Sequence, residues 1–138
     1  MLAADFFEQS ALACQKLGRR GILLTKFDEQ IPKVLPADVI HVPYAPFSQL
    51  LPRCAAIVHH GGIGTTSQAL RAGIPQVIVP LAHDQPDNAS RVKKLGVGSI
   101  IPCTRYQAQS AENNLRFLLD SVTIQSIVQQ YCGTILER

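Results

Sequence analysis

The residues best equipped for chemistry stand together in one stretch, His59-His60-Gly61-Gly62-Ile63-Gly64-Thr65-Thr66-Ser67-Gln68. Glycines at 61, 62 and 64 permit positive φ and let a ligand approach the backbone with no Cβ in between. Thr65 and Thr66 are helix-capping types. The first-turn amides of a helix starting there would point into the loop with the positive end of its dipole. Such a loop binds anions, phosphate foremost. The same glycines would also suit a bare strand-to-helix turn with a threonine cap. His60 favours the anion, because an imidazole beside the turn can donate to a phosphate oxygen and responds to its charge. Two adjacent histidines at a strand end cannot both point at one ligand, so His60 is assigned to it and His59 to packing, satisfied by a carbonyl. No further His, Cys or carboxylate lies at ligand spacing, so no metal is expected. The Lys-Ser/Thr that closes an ATP- or GTP-hydrolysing phosphate loop is also missing.

A second group follows at Pro80-Leu81-Ala82-His83-Asp84-Gln85-Pro86-Asp87-Asn88. The carboxylate of Asp84 accepts hydrogen bonds and the amide of Gln85 both accepts and donates, which suits neighbouring hydroxyls of a sugar. Alternatively Asp84 caps the next helix, with Pro86 in its first turn.

The elements that must carry these loops are legible as short apolar runs: Gly21 to Thr25, Val39 to Val42, Ala55 to His59, Gln76 to Pro80 and Gly98 to Pro102. They lack polar alternation, as strands buried on both faces do. Helical patterns cover residues 1 to about 18, Thr65 to Ala72, Asp87 to Leu95, Ala108 to Leu119 and Ile124 to Tyr131, with Gly18, Gly73 and Gly96 at helix ends. One or two helical turns fit between Phe47 and Arg53. Together these predict repeated βαβ units, a single α/β domain over residues 1–138 with a parallel sheet flanked by helices. Ligands of such sheets collect at the carboxyl ends of the strands, where the two polar loops fall.

Composition narrows the function classes. A chain of 138 residues, 46% hydrophobic and 17% charged, holds one compact domain and is no disordered segment. With 6% aromatic residues and no Trp it is poorly supplied for stacking single-stranded nucleic acid. Its net charge of +3 is scattered, which suits a small anionic ligand better than a polynucleotide. Cys14, Cys54, Cys103 and Cys132 are widely separated and read as reduced thiols of a cytoplasmic protein. No signal peptide is visible, and no apolar run reaches the ~20 residues of a membrane span.

The stretch from Asp38 to Gly98, with its HHGGIGTT, AGIPQ and DQ signatures in order, resembles the donor-binding segment of family 1 nucleotide-sugar glycosyltransferases, closest in type to the bacterial and sterol glucosyltransferases. The resemblance implies the Rossmann-like C-terminal half of a GT-B fold. It also implies transfer of a hexosyl group from a UDP- or dTDP-sugar to a hydroxyl acceptor, with inversion and without metal or cofactor. By the same resemblance His60, Gly62, Gly64, Thr65 and Thr66 would hold the diphosphate, and Gln68 the ribose. Asp84 and Gln85 would bind the sugar, and Tyr44 and Phe47 would lie near the base. Gln68 departs from the glutamate of plant relatives, and Tyr44 and Phe47 replace a Trp and a Gln. The family's catalytic base lies in the acceptor-binding N-terminal half, so none is expected in this chain. The pattern also places a strand ahead of the first helix, in mid-sheet. The chain is thus expected to be N-terminally truncated, with exposed strand edges that favour a homodimer. An acceptor-binding domain or subunit is the expected partner, and a non-catalytic sugar-nucleotide-binding subunit or remnant is the alternative. A lipid acceptor would bring the protein to a membrane periphery.

Overall fold

Gly18 closes the first helix. Its backbone turns left-handed (φ 67°), and the amides of Gly18 and Arg19 cap the carbonyls of Gln15 and Cys14, satisfying groups a helix end leaves open. The computed structural model describes residues 1–136. It contains α1 (Ala3–Leu17), β1 (Gly21–Leu24), β2 (Val39–Val42), α2 (Phe47–Leu50) running into a 3₁₀ turn, β3 (Ile57–His59), α3 (Ile63–Ala72), β4 (Gln76–Ile78), α4 (Gln85–Leu95), β5 (Gly98–Ile100), α5 (Ala108–Asp120) and α6 (Val122–Leu136).

All strand pairs are parallel, as the βαβ pattern predicts. The strands form two sheets, however. β1 pairs with β2 from Gly21↔Val39 to Leu24↔Val42, and β4 lies between β3 and β5, with Val77 opposite Val58 and Ser99. β1 and β3 do not pair.

The core lies on both faces of β4, where burial is complete. Alternating residues serve opposite layers. Val77 and Val79 pack with Phe6 and Ala13 of α1 and with Ala111, Leu115 and Leu118 of α5. Ile78 packs with Ala89 and Val92 of α4 and Val128 of α6. The buried positions of α5, Ala108, Ala111, Leu115 and Leu118, recur every three or four residues, and that stripe holds the helix on the sheet. α1 also covers β1, where Ala11 meets Leu23 and Val39.

Burial on both faces, predicted for every apolar run, therefore holds for β4 and fails for β1. Ile22 and its register partner Ile40 remain 43% and 55% exposed. α1 covers the face that Leu23 presents, and among the described residues no comparable layer closes over the isoleucines. Continuous hydrophobicity does not distinguish a central strand from one that is covered on one side.

Candidate functional site

Parallel pairing sets the carboxyl ends of β3 and β4 side by side. The two polar loops that follow them therefore meet, as the sequence predicts. The His60 ring is held between them. Its Nδ1 lies 2.9 Å from the carbonyl oxygen of Val79 and its face packs on Phe6, ring centroids 4.6 Å apart. A carbonyl only accepts, so Nδ1 carries the proton and donates it. Nε2 is left without a partner among the described residues.

The three glycines have separate duties. Gly61 alone of the three has positive φ, 95°. A Cβ there would lie 2.8 Å from Cγ2 of Ile78, so the loop presses against β4. Gly62 is the N-cap of α3 in extended backbone (φ −60°, ψ 142°) with no side-chain cap, where a threonine cap was expected. Its carbonyl accepts from both the amide (3.0 Å) and the hydroxyl (2.8 Å) of Thr66. Thr66 is thus buried and spends both donors inside the loop. The amides of Ile63, Gly64 and Thr65 precede the first helical bond and have no acceptor within the helix. Beside Gly62 and Gly64 a Cβ would meet nothing within 4 Å.

Gln68, one to two turns into α3, lines an open cavity of about 350 Å³ with Tyr44, Phe47, Thr25 and Lys26. The structure thus brings Gln68, Tyr44 and Phe47 together. Thr25 and Lys26 were missed by sequence reasoning, which did not extend to the loop after β1; a lysine directly past a strand's carboxyl end was the available signal.

Asp84 and Gln85 lie outside that cavity and against the glycine loop, where the Gln85 backbone carbonyl borders Gly61. Gln85 Oε1 accepts from the amides of Leu81 (2.7 Å) and Ala82 (3.2 Å). Its Nε2 remains as a donor. Asp84 occupies the N-cap position of α4 but does not cap; its Oδ2 accepts from Asn88 Nδ2 at 3.3 Å. Next to it His83 is the only non-glycine residue with positive φ (59°) among the described residues.

His59 is satisfied, though not by the expected carbonyl. Nε2 donates to Gln76 Oε1 at 2.7 Å, and Nδ1 accepts from the amide of Gly61 at 3.0 Å. Burial pushes its imidazole below the ordinary 6.5; the bond to Gln76 opposes this and neighbouring His60 reinforces it. A depressed histidine is protonated in the unfolded chain before it is in the folded one. Stability is therefore present above pH 6.5 and is lost as the pH falls from there toward the folded-state value. Urea unfolding between about pH 7.5 and 5 should show that loss, and His59→Gln should reduce it.

Among the described residues no three His, Cys, Asp or Glu side chains cluster as metal ligands, and no helix is long and apolar enough to cross a membrane.

Comparison with known proteins places this site in context. The family profile described as "Erythromycin biosynthesis protein CIII-like, C-terminal domain" matches residues 21–135. The chain is 41% identical over 107 residues to the O-mycaminosyltylonolide 6-deoxyallosyltransferase of Streptomyces fradiae, covering 77% of this chain and 25% of that protein. It is 38% identical over 110 residues to a sterol 3-beta-glucosyltransferase of Arabidopsis thaliana, covering 78% and 17%. Among solved structures it is similar to the glycosyltransferase VinC in complex with dTDP (TM-score 0.78, 28% identity, 96% of this chain and 33% of that one). The calicheamicin glycosyltransferase CalG4 shares the fold (TM-score 0.86, 24% identity, 99% and 35%). The chain thus spans a quarter or less of these two curated relatives.

Proposed function

The chain belongs to the EryCIII-like C-terminal domain family of family 1 glycosyltransferases, and on that premise we propose that it is the donor-binding part of a sugar transferase. It would bind a UDP- or dTDP-hexose and present it to a hydroxyl acceptor held by a separate acceptor-binding half. The observation that carries this reading is the row of unpaired amides at Ile63, Gly64 and Thr65 beside the open Nε2 of His60. A diphosphate fits the amide donors, which call for an anion rather than a metal, and His60 would join them as a donor once Nε2 is protonated. Thr65 adds a hydroxyl at the same turn, and Thr66 shapes it from within. The nucleoside would lie in the cavity of Tyr44, Phe47 and Gln68, with Gln68 toward the ribose, and the sugar would lie against Asp84 and Gln85.

Transfer would invert the anomeric centre. The helix dipole and a protonated His60 would take up the charge of the departing diphosphate. The base that activates the acceptor would come from the other half, so the isolated chain should bind donor and transfer nothing. Unpaired edges on β1 and β3 make self-association of the isolated chain a further expectation. Calorimetric titration with dTDP and UDP tests the core of the reading. Saturable binding of either nucleotide supports it, and no saturation at about 5 mM would end it.

A further inference from the structure

The loop that presents the unpaired amides is held by buried polar side chains with no assigned role. Gln76 is wholly buried on β4. Its Nε2 donates to the carbonyl of Thr66 at 3.2 Å and its Oε1 accepts from His59 Nε2. His59 Nδ1 in turn accepts from the Gly61 amide. The polarity of this chain is forced from both ends. The Thr66 carbonyl can only accept, so the amide NH₂ of Gln76 faces it and the Gln76 oxygen faces His59. The Gly61 amide can only donate, so Nδ1 of His59 is bare and its single proton is on Nε2. On the other side of Gly61, its carbonyl accepts from the buried Asn88 Nδ2 at 2.8 Å. Asn88 also reaches Asp84 Oδ2. Both peptide groups of the one positive-φ residue in the loop are thus held by side chains, the amide by His59 of β3 and the carbonyl by Asn88 of α4, with Gln76 of β4 fixing His59 from behind.

We propose that His59, Gln76 and Asn88 are positioning residues that hold the glycine loop and the first turn of α3 in the form that receives a diphosphate, with Asn88 tying that loop to Asp84. The inference rests on the diphosphate reading above. Its distinctive requirement is a neutral His59 bearing its proton on Nε2. A purely space-filling histidine has no such requirement.

The full 138-residue chain, labelled with ¹⁵N at histidine and titrated with dTDP, tests it. In the wild type the His59 Nδ1 resonance should lie in the unprotonated range and show no directly bonded proton. Gln76→Glu keeps the shape but puts a carboxylate on Nε2. It should drive His59 to the imidazolium form, set two N–H groups against each other at Gly61, and weaken dTDP binding about tenfold or more. His59→Leu should lose as much, and His59→Asn should recover most of it, since its Oδ1 returns an acceptor to the Gly61 amide.

A wild-type Nδ1 that carries the proton would overturn the proposal. So would a folded Gln76→Glu or His59→Leu that binds dTDP as the wild type does. Wild-type chain that binds neither dTDP nor UDP would instead remove the diphosphate reading and the purpose of the relay with it. Should His59→Leu fail to fold, the wild-type tautomer and the Gln76→Glu titration still decide the matter.

Discussion

His60→Ala should weaken nucleoside diphosphate binding by about 10- to 150-fold, the 1.5–3 kcal/mol of a charge-assisted hydrogen bond. The expectation follows from the ring's anchoring. Nδ1–H is committed to the Val79 carbonyl and Phe6 packs on the face, so the ring is oriented before any ligand arrives. Nε2 of that tautomer has a lone pair and no hydrogen. Donation from Nε2 to a phosphate oxygen therefore calls on the imidazolium form, which is what makes that bond charge-assisted. Calorimetric titration of the wild type and the variant with dTDP should read that loss of affinity directly. Removing the ring also leaves space beside Phe6, so a thermal melt must accompany the titration. Equal affinity in a folded His60→Ala would take His60 out of the phosphate site.

Gly61→Ala should be the most damaging single methyl in the loop. The residue sits at φ 95°, and the added Cβ would come within 2.8 Å of Ile78 Cγ2 on the fully buried strand β4. Left-handed backbone costs an alanine about 1–2 kcal/mol, and overpacking a filled interior adds about 1–3 kcal/mol. The shift needed to relieve the clash would pull the Gly61 amide from His59 and its carbonyl from Asn88. A lowered Tm together with lost dTDP binding is the expected outcome. Gly64→Ala should behave in the opposite way for stability. The residue lies in the first turn of α3 with open space beside it, and alanine is favoured over glycine in a helix by up to about 1 kcal/mol. If the diphosphate occupies that space, Gly64→Ala binds it more weakly while melting no lower than the wild type. An unchanged affinity would mean that the ligand does not approach this turn.

Much of this was readable from residue order. The run HHGGIGTT and the apolar stretches on either side of it announce a strand, a glycine turn and a helix. That local code predicts an anion site regardless of the rest of the fold, because amide orphans at a helix start depend only on where the helix begins. The helix ends at Gly18, Gly73 and Gly96 were equally local, since only the nearest carbonyls are capped there. The assignment of the helix cap to a threonine was not: Thr66 turned inward because Gly62 already stood at the cap.

By itself the sequence determined the order of elements, the parallel βα pattern and the chemistry of the loops, since these follow from hydrophobic runs and from residues adjacent in the chain. Tertiary structure alone decided which glycine is under conformational demand, which histidine nitrogen is open and how the loop is held. Those outcomes hang on partners 17 to 27 residues away, Gln76 and Val79 across the sheet and Asn88 on the next helix. It also decided that the strands form two sheets and that Ile22 and Ile40 stay exposed. Pairing and coverage depend on which elements come to lie side by side, and hydrophobic runs of equal strength do not encode that.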